Sequence, residues 1–491
     1  MRTPTAAQAP AFGCRLTYHP RTTDCEFVLS SHEIKMPILS VNPASNEQLE
    51  SFVPLIREEM LAAIETASDA FDEWRHTSIS KRRAVLLKVA TQLRSRLSDY
   101  ASMITTEMGK RISESEYEVE YCAKIAEYYA NNAERFLADQ PVQVEDADAF
   151  IQYEPIGVLL GVMPWNFPFY QVIRFAAPNI MCGNTVLLKH ASNVPQCAVA
   201  IAELFSDSGL PDGVFTNLLI PTEFVETIIE DKRVRGVSLT GSEKAGAAVA
   251  ALAGKHLKRS VLELGGNDAF IVLDDADMDN VVEMAVKGRM TNAGQSCVAS
   301  KRFIVVEAVA EQFLTDFKIA MSSLKVGDPL DPETDVAPLS TEQAAVNLAE
   351  QVQEAINAGA TVLLGGDRPD RAGAFYNPTI LAGIAAESPI YDRELFGPVA
   401  TVYVVKDEQA AVELANDSSY GLGGSVYSKD IDRARRLAQQ IDTGMVFINQ
   451  PTKSQAELPF GGTKNSGYGR ELSHLGILEF VNKKLIHVGK K

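Results

Sequence analysis

The chain has 491 residues, of which 46% are hydrophobic and 22% charged, and its formal net charge is −18. This length and composition allow two or three globular domains with a large core. A strongly acidic chain repels phosphate backbones and anionic lipid, so neither nucleic acid nor a membrane surface is expected as a partner.

Residues 1–35 differ from the rest of the chain, because Pro, Thr and Ser are scattered through them without a helical period. Three interpretations stay open: a disordered extension, a natural start at Met36, or a transit peptide. The first 30 residues contain no apolar core of the length that a secretory signal needs. We carry the disordered extension forward as the expectation.

Helical spacing of apolar residues predicts helices over 57–75, 81–98 and 113–137. Residues 142–153 then alternate apolar and polar side chains, which predicts a hairpin or a protruding arm. Residues 155–173 carry no charge and raise the question of a membrane helix. The prolines and the asparagine within that run argue against one, and we predict a buried strand followed by an irregular loop.

Short apolar strands alternate with helices after this point. The predicted strands are 157–163, 184–190, 215–220, 236–241, 268–273, 302–306 and 336–339, with helices such as 194–209 and 244–256 between them. This alternation favours parallel, doubly wound sheets, and a second block begins near residue 263. Ligands in such folds bind where strand ends face an open crevice.

Cysteines are few and show neither a pairing pattern nor metal-ligand spacing; they are Cys14, Cys25, Cys122, Cys182, Cys197 and Cys297. Sparse cysteines predict a reducing compartment, and we expect the cytoplasm. No CxxC motif occurs, so no metal site is expected. A lone cysteine is usually an inert small hydrophobe. Cys297 differs because it follows the small polar segment NAGQS, which supplies access and backbone donors to a reactive thiolate.

Glu263 lies within an apolar run, VLELGG, and two glycines follow almost at once. It is either a strand-edge residue that faces water or a pocket carboxylate with a raised pKa. Asn166 lies between Pro164 and Pro168, which fix a rigid turn; its amide is either a structural group or a donor to an oxyanion.

A further motif, SLTGSEKAG at 238–246, places a glycine turn before a helix whose N-terminus can hold a pyrophosphate. It is not GxGxxG, so the usual dinucleotide fingerprint is absent. Together these segments resemble the aldehyde dehydrogenase superfamily from about Met36 onward. PWNFP, LTGS, LELGGN, GQSC, ELFGP and PFGG occur in that family's order, and PWNFPFYQVIRFAAP and LLKHASNVPQCA are most similar to the succinate-semialdehyde dehydrogenase group.

The resemblance implies an α/β fold with a Rossmann-like cofactor domain, an α/β catalytic domain and a β oligomerisation arm. The expected bounds are 36–136 and 156–262 for the dinucleotide-binding domain, 263–475 for the catalytic domain, and 137–155 with 476–491 for the arm. A homodimer or a homotetramer is expected.

The resemblance also implies roles for the candidate residues. Cys297 attacks the aldehyde carbon, Asn166 and the backbone N–H of Cys297 stabilise the oxyanion, and Glu263 activates the water that hydrolyses the thioester. The implied cofactor contacts are Trp165, Lys189, Ser192, Gly241, Ser242, Leu264, Glu394 and Phe396. NAD-preferring relatives often carry a glutamate at the position of Ser192. Serine does not repel a 2′-phosphate, and Lys189 attracts it, so NADP is favoured over NAD.

Arg174 occupies the spacing at which succinate-semialdehyde enzymes carry an arginine for the distal carboxylate. Its alternative role is a structural salt bridge. Some relatives have a second arginine where this chain has Thr291; Arg289 lies nearby, and Lys453 and Ser454 are substitutes to consider.

The sequence is also compatible with four other functions. They are oxidation of another small aliphatic or aromatic aldehyde, a CoA-acylating or phosphorylating dehydrogenase, a non-enzymatic binding protein on this scaffold, and a cysteine hydrolase with a histidine base. The presence of Glu263 favours hydrolysis of the thioester over its transfer to CoA or phosphate.

Overall fold

The structure is a computed structural model that describes residues 37–145 and 147–489. The predicted disordered extension at 1–35 lies outside the described residues. The strands are β1 (Ile38–Asn42), β2 (Glu47–Phe52), β3 (Gln140–Val142), β4 (Ala147–Pro155), β5 (Val158–Met163), β6 (Thr185–His190), β7 (Phe215–Asn217), β8 (Val234–Thr240), β9 (Arg259–Glu263), β10 (Ala269–Val272), β11 (Arg302–Val306), β12 (Thr361–Leu364), β13 (Thr379–Ala382), β14 (Val399–Val405), β15 (Tyr420–Gly421), β16 (Gly424–Tyr427), β17 (Phe447–Ile448), β18 (Thr463–Lys464), β19 (Gly467–Tyr468) and β20 (Val481–Gly489).

The helices are α1 (Arg57–Trp74), α2 (Ile79–Ser95), α3 (Leu97–Met108), α4 (Ile112–Phe136), α5 (Pro168–Cys182), α6 (Pro195–Asp207), α7 (Phe224–Glu230), α8 (Glu243–Lys255), α9 (Met278–Met290), α10 (Glu307–Ser322), α11 (Glu342–Asn357), α12 (Glu408–Asn416), α13 (Ile431–Ala438) and α14 (Ser473–Ile477). A 3₁₀ turn at Thr291–Gly294 follows α9.

The first large sheet has the strand order β19-β9-β8-β5-β6-β7. Neighbouring strands are parallel, except that β19 runs antiparallel to β9. Alternate residues enter different cores: Leu159 and Leu188 pack in one hydrophobic cluster, and Leu160 and Leu187 pack in another. Burial on both faces explains why these strands read as continuous apolar runs.

The second large sheet has the order β12-β13-β14-β11-β10-β16-β17 and is parallel apart from the β12–β13 pair. Phe270 and Phe303 face one core, while Ile271 and Ile304 face the other. The prediction of parallel, doubly wound α/β sheets is therefore confirmed.

A third sheet joins the two expected segments of the arm. Strand β4 pairs antiparallel with β3 on one side and with β20 on the other. The β20–β4 register runs from Val481 opposite Pro155 to Gly489 opposite Ala147. The hairpin predicted over 142–153 is thus present, and a strand from the C-terminal end of the chain extends it.

Three predicted helices correspond to α1, α2 and α4, but α3 was not predicted. Its buried residues Tyr100, Ile104 and Met108 recur every four positions, so the helical signal is present in the sequence. The strand predicted at 336–339 is wrong. Val336 forms one isolated bridge with Val326, and Pro338 has no N–H with which to continue a ladder.

The apolar run at 155–173 becomes β5, a short turn and the start of α5, so the irregular loop is shorter than predicted. Pro168 occupies the first turn of α5, where a missing N–H costs nothing, and does not break the helix. Over the described ranges, no helix has both the length and the apolar character needed to cross a membrane.

Candidate active site

The predicted cofactor and oxyanion residues follow the carboxyl ends of parallel strands in the first sheet. Asn166 comes after β5, Lys189 lies near the end of β6, and Gly241 directly follows β8. Glu263 is the last residue of β9. Because carboxyl ends of adjacent parallel strands meet at one edge, these residues lie along the same edge of the first sheet, where folds of this kind bind ligands.

Cys297 lies between the 3₁₀ turn and β11, in a segment with a strained backbone. The φ angles of Asn292, Ala293 and Gly294 are 54°, 50° and 76°. This left-handed region is unfavourable for alanine by roughly 1–2 kcal/mol. At Gly294 a Cβ atom would lie 2.1 Å from the backbone oxygen of Gly397, so only glycine fits. Such strain persists where the surrounding structure over-determines it, commonly at functional sites.

The side chain of Asn166 contacts the segment that carries Cys297. Its Nδ2 donates to the backbone oxygen of Gln295 at 3.1 Å. The Nδ2 of Asn292 donates to the same oxygen at 3.2 Å. A primary amide has two N–H bonds, so Asn166 keeps one donor beyond this contact. The predicted oxyanion donor is therefore held next to the predicted nucleophile.

Four charged side chains act on the Cys297 thiol. The pKa of this thiol is raised to about 12; desolvation is the largest cause, and the carboxylates of Glu394 and Glu263 act in the same direction. The positive charges of Lys301 and Arg174 lower it. Because the thiolate is the reactive form, the free thiol needs a proton acceptor near neutral pH.

Glu263 is the candidate group that takes a proton from the attacking water. It is 2% exposed, and neither carboxylate oxygen has a hydrogen-bond partner in the described part of the chain. Burial raises its pKa well above the ordinary value, and the charge of Glu471 acts in the same direction, while Arg174 and Arg470 oppose them. A raised pKa suits a group that takes up a proton at neutral pH.

The two glycines after Glu263 are required by close packing. A Cβ at Gly265 would lie 2.6 Å from Oε2 of Glu394, and one at Gly266 would lie 2.5 Å from the backbone oxygen of Cys297. Gly266 therefore lets the chain approach another backbone closely, and Gly265 leaves room for a side chain. The pair lies between the predicted nucleophile and the predicted ribose ligand.

Loops from the two sheets also meet through Glu394 and Phe396. The Oε1 of Glu394 accepts from the backbone N–H of Gly266 at 3.2 Å and forms a salt bridge with Lys301 at 2.9 Å. The rings of Trp165 and Phe396 meet edge-on with centroids 5.8 Å apart. Residues predicted from distant motifs are therefore in contact with one another.

The N-terminus of α8 follows Gly241, as the LTGS motif predicts. Ser242 is the N-cap and accepts from the backbone N–H of Ala245 at 3.3 Å. A Cβ at Gly246 would lie 2.6 Å from the side chain of Leu264, so α8 packs directly on the segment after β9. Backbone donors at such a helix terminus favour an anionic group.

Lys189 and Ser192 lie at the end of β6 and in the turn beyond it. Lys189 is 9% exposed, and burial lowers its pKa, against which the charge of Glu223 acts. Ser192 is exposed. A largely desolvated ammonium gains stability when an anion binds beside it, so this pair is compatible with a phosphate-bearing ligand.

Comparison with known proteins agrees with this geometry. Residues 28–486 match the aldehyde dehydrogenase family model. The chain belongs to the aldehyde dehydrogenase family. A relative from Deinococcus radiodurans, named succinate-semialdehyde dehydrogenase [NADP(+)], is 50% identical over 450 residues, which cover 92% of this chain and 94% of the relative.

A Mycobacterium tuberculosis relative, succinate-semialdehyde dehydrogenase [NADP(+)] 1, is 47% identical over 456 residues, or 92% of this chain and all of the relative. Among solved structures, the succinic semialdehyde dehydrogenase of Streptococcus pyogenes in complex with NADP+ has a TM-score of 0.91 and 44% identity. That match covers 92% of this chain and 100% of the other. The α/β aldehyde dehydrogenase fold expected from the sequence is confirmed.

In this aldehyde dehydrogenase, Arg174 has partners within the chain. Its Nε forms a salt bridge with Glu471, Nη1 donates to the Tyr170 hydroxyl at 3.1 Å, and Nη2 donates to Thr240 at 3.1 Å. This is the structural salt bridge that stood as the alternative. The argument that the buried guanidinium needs a substrate carboxylate as its anion therefore does not hold.

Arg289 and Thr291, at the end of α9 and the start of the 3₁₀ turn, have other contacts. Thr291 is exposed and donates to the backbone oxygen of Lys287 at 2.8 Å. Arg289 is fully buried and donates to the backbone oxygen of Gly294 at 2.6 Å, so it supports the strained turn.

The cysteine-hydrolase alternative required a histidine base near the thiol. Both ring nitrogens of His190 are hydrogen-bonded: Nε2 to the oxygen of Pro168 at 2.9 Å, while Nδ1 accepts from the N–H of Ala191 at 2.8 Å. Burial lowers its pKa to about 4, which makes it a weak base.

Sequence reasoning missed the side chains that hold the loops of this aldehyde dehydrogenase in place. Glu118 accepts from the backbone N–H groups of Phe169 and Tyr170 at the start of α5 and is paired with the buried Lys110. Lys110 lies 3.8 Å from the centroid of Phe167, next to Asn166. Lys110 precedes α4, and Glu118 lies within it. Their spacing does not indicate that they hold the loop around Asn166, because that loop is distant in sequence.

Proposed function

We propose that this aldehyde dehydrogenase oxidises succinate semialdehyde to succinate with NADP as the electron acceptor. The names of the relatives at 47–50% identity over 92% of the chain support this substrate and cofactor. The observation that carries the proposal is the proximity of Cys297, Asn166 and Glu263. Asn166 contacts the turn of Cys297, and the charge of Glu263 acts on the Cys297 thiol.

In the proposed reaction, Cys297 releases its thiol proton to solvent water, and its sulfur attacks the aldehyde carbon. The remaining N–H of Asn166 donates to the oxygen that becomes negatively charged. After oxidation leaves a thioester on Cys297, Glu263 takes a proton from the attacking water, and the acid and the free thiol are released.

We propose that the cofactor binds at the carboxyl ends of the strands of the first sheet. When bound, the cofactor would supply the acceptor for the hydride, two electrons with a proton, that leaves the substrate carbon. The α8 terminus after Gly241 and Ser242 would bind the pyrophosphate, and Glu394 would bind the ribose. Trp165, Leu264 and Phe396 complete this part of the proposed set. Lys189 would bind the adenosine ribose and its 2′-phosphate, with Ser192 offering a hydroxyl and no repulsion.

For the carboxylate end of the substrate we propose that Arg174 acts through Tyr170. The Tyr170 hydroxyl donates to Oγ of Ser454 at 2.8 Å while it accepts from Arg174. Through this chain of hydrogen bonds, Arg174 polarises the hydroxyl groups of Tyr170 and Ser454. Ser454 lies in the loop that also contains the exposed Lys453. The distal carboxylate of the substrate would then bind Ser454, with Lys453 at the rim.

The experiment is a steady-state comparison of succinate semialdehyde with neutral aldehydes of similar length, each with NADP and NAD. We expect the highest kcat/KM for succinate semialdehyde with NADP. Ser454→Ala should raise KM for succinate semialdehyde several-fold and leave that for a neutral aldehyde unchanged. Equal effects on both aldehydes, or a strong preference for NAD, would refute the assignment.

Product analysis with and without CoA distinguishes hydrolysis from acyl transfer. Succinate should form in both cases, and a CoA-dependent thioester product would favour the acylating alternative. Cys297→Ser should abolish turnover. Cys182→Ser is the matched control, because Cys182 is a buried thiol that donates to the oxygen of Ile477 at 3.3 Å.

We further propose a homodimer or homotetramer assembled through the three-stranded arm, in the cytoplasm. Leu485 and Val488 of β20 are 62% and 55% exposed, which is unusual for large apolar side chains on a strand. Four cysteines of the described chain are unpaired, in agreement with a reducing compartment. Light scattering of the full chain and of a Leu485→Lys, Val488→Lys variant tests the assembly.

A further inference from the structure

Lys301 is a buried cation that contacts both halves of the proposed site. Its side chain is 2% exposed, and Nζ lies 2.9 Å from Oε1 of Glu394. The same nitrogen donates to backbone oxygens in the turn that carries the nucleophile: Ser296 at 3.0 Å, Cys297 at 2.8 Å and Ala299 at 3.3 Å.

These contacts account for the burial of the charge. An ammonium has three N–H donors, and here four oxygens surround it, so its hydrogen-bonding capacity is fully used. A buried cation is tolerated when it is paired and hydrogen-bonded. Asp268, whose carboxylate is also buried, lies within electrostatic reach of Lys301. The site therefore holds a cation between two carboxylates and a row of carbonyls.

We propose that Lys301 is a positioning residue that fixes the cofactor-binding carboxylate of Glu394 relative to the turn of Cys297. The inference rests on the proposed function, which assigns these two residues to the cofactor and the nucleophile. Because Lys301 binds both, ordering of the Glu394 side chain and ordering of the nucleophile turn are coupled. The single charge also favours the thiolate over the thiol.

Lys301 does not act on the thiol alone. The other groups that influence Cys297 are Arg174, which favours the thiolate, and Glu394 and Glu263, which oppose it. Without Lys301, the two carboxylates that raise the pKa of Cys297 are opposed only by the guanidinium of Arg174. Removing the charge of Glu394 has the opposite effect, and this difference in sign makes the proposal testable from two sides.

The principal experiment uses Lys301→Met in the full chain without added NADP. Iodoacetamide labelling of the peptide that contains Cys297 is followed by mass spectrometry from pH 6 to pH 10. We expect the labelling profile to move to higher pH by about one unit, which is roughly tenfold slower labelling at a fixed pH. KM for NADP should rise several-fold, and Lys301→Arg should recover part of both losses.

The matched control is Arg302→Met, the next residue in the chain. Arg302 is also buried, but its guanidinium donates to the backbone oxygens of Asn267, Leu414 and Ala415, away from the nucleophile turn. We expect this variant to lower Tm and to leave the labelling profile of Cys297 unchanged. If both variants move the profile equally, or if Lys301→Met changes only Tm, the proposal is wrong.

A second variant keeps the test decisive if Lys301→Met does not fold. Glu394→Gln retains Lys301 and removes the opposing charge, so the labelling profile should move to lower pH, and an unchanged profile would overturn the proposal. Labelling requires no turnover. Failure of the enzyme to oxidise succinate semialdehyde would therefore contradict the proposed function and leave the labelling result to decide the role of Lys301.

Discussion

The side-chain Nδ2 of Asn292 donates to the backbone oxygen of Asn166 at 2.8 Å, across 126 positions of sequence. The same nitrogen donates to the oxygen of Gln295 at 3.2 Å. The backbone N–H of Asn292 in turn donates to Glu114 at 2.8 Å. One side chain thus ties the proposed oxyanion donor to the proposed nucleophile turn, and a glutamate from α4 anchors it.

Asn292→Asp should lower kcat by about a hundredfold with little change in KM. The carboxylate keeps the shape and the tolerance for a left-handed backbone, but it places negative charge against two carbonyl oxygens and cannot donate to them. Misplacement of the oxyanion donor is expected to act on the transition state. Steady-state kinetics on the folded fraction measures the effect.

Asn184→Asp is the control for that variant. Asn184 is buried and donates to the oxygen of Phe480 at 2.9 Å, so its loss should lower Tm. The kcat of the folded fraction should stay at the wild-type value. A similar fall in kcat for both variants would mean that general loosening of the fold, and not the contact with Asn166, is responsible.

Glu263→Gln should stabilise the fold at alkaline pH. The pKa of Glu263 in the folded chain lies well above that of an unfolded chain, about 4.3. Folding therefore takes up a proton between these two values, and the free energy of unfolding falls as pH rises through that window. Each unit of difference corresponds to about 1.4 kcal/mol. Thermal unfolding at pH 5, 7 and 9 should show a gap that grows with pH.

A gap of constant size across that range would show that the carboxylate does not titrate in the folded chain. The variant should also retain the first turnover of NADP and lose most of the later ones, since thioester formation does not need the water-activating base. Stopped-flow measurement of the burst and the steady state separates the two steps.

Ser192→Glu should change the cofactor preference. A carboxylate at this exposed position would repel a 2′-phosphate and accept from ribose hydroxyls. We expect kcat/KM with NADP to fall roughly tenfold to a hundredfold, while kcat/KM with NAD stays the same or rises. Ser192→Gln has nearly the same size without the charge, and a comparable fall in that variant would assign the effect to bulk.

Arg174→Met should lower the free energy of unfolding by about 3–5 kcal/mol, because it leaves Glu471 buried without its partner. Arg174→Met combined with Glu471→Gln should recover much of that stability. Chemical denaturation of the two single variants and the double variant gives the coupling energy. Additive losses in the double variant would show that the pair is not coupled.

The sequence predicted the parallel α/β blocks because buried parallel strands contain apolar runs, such as VLLGV in β5, VLL in β6 and FIVV in β11. It could not predict the partner of Arg174, since Glu471 comes almost 300 positions later and no local pattern pairs residues so far apart. The same reason hides Lys301, whose charge adjoins an apolar strand and reads as an ordinary strand edge. Local sequence patterns predict helices and strands. They do not predict the partner of a buried charge, because that partner depends on how distant elements pack.

The strand β19 carries one more consequence. It pairs Gly467 with Glu263, so the proposed base is held in the first sheet by a segment near the end of the chain. During synthesis on the ribosome, that sheet stays incomplete until residue 468 has emerged, which is after every strand of the second large sheet. We therefore expect a fragment that stops before β19 to be unable to acquire an ordered water-activating group, even when both large sheets have otherwise been made.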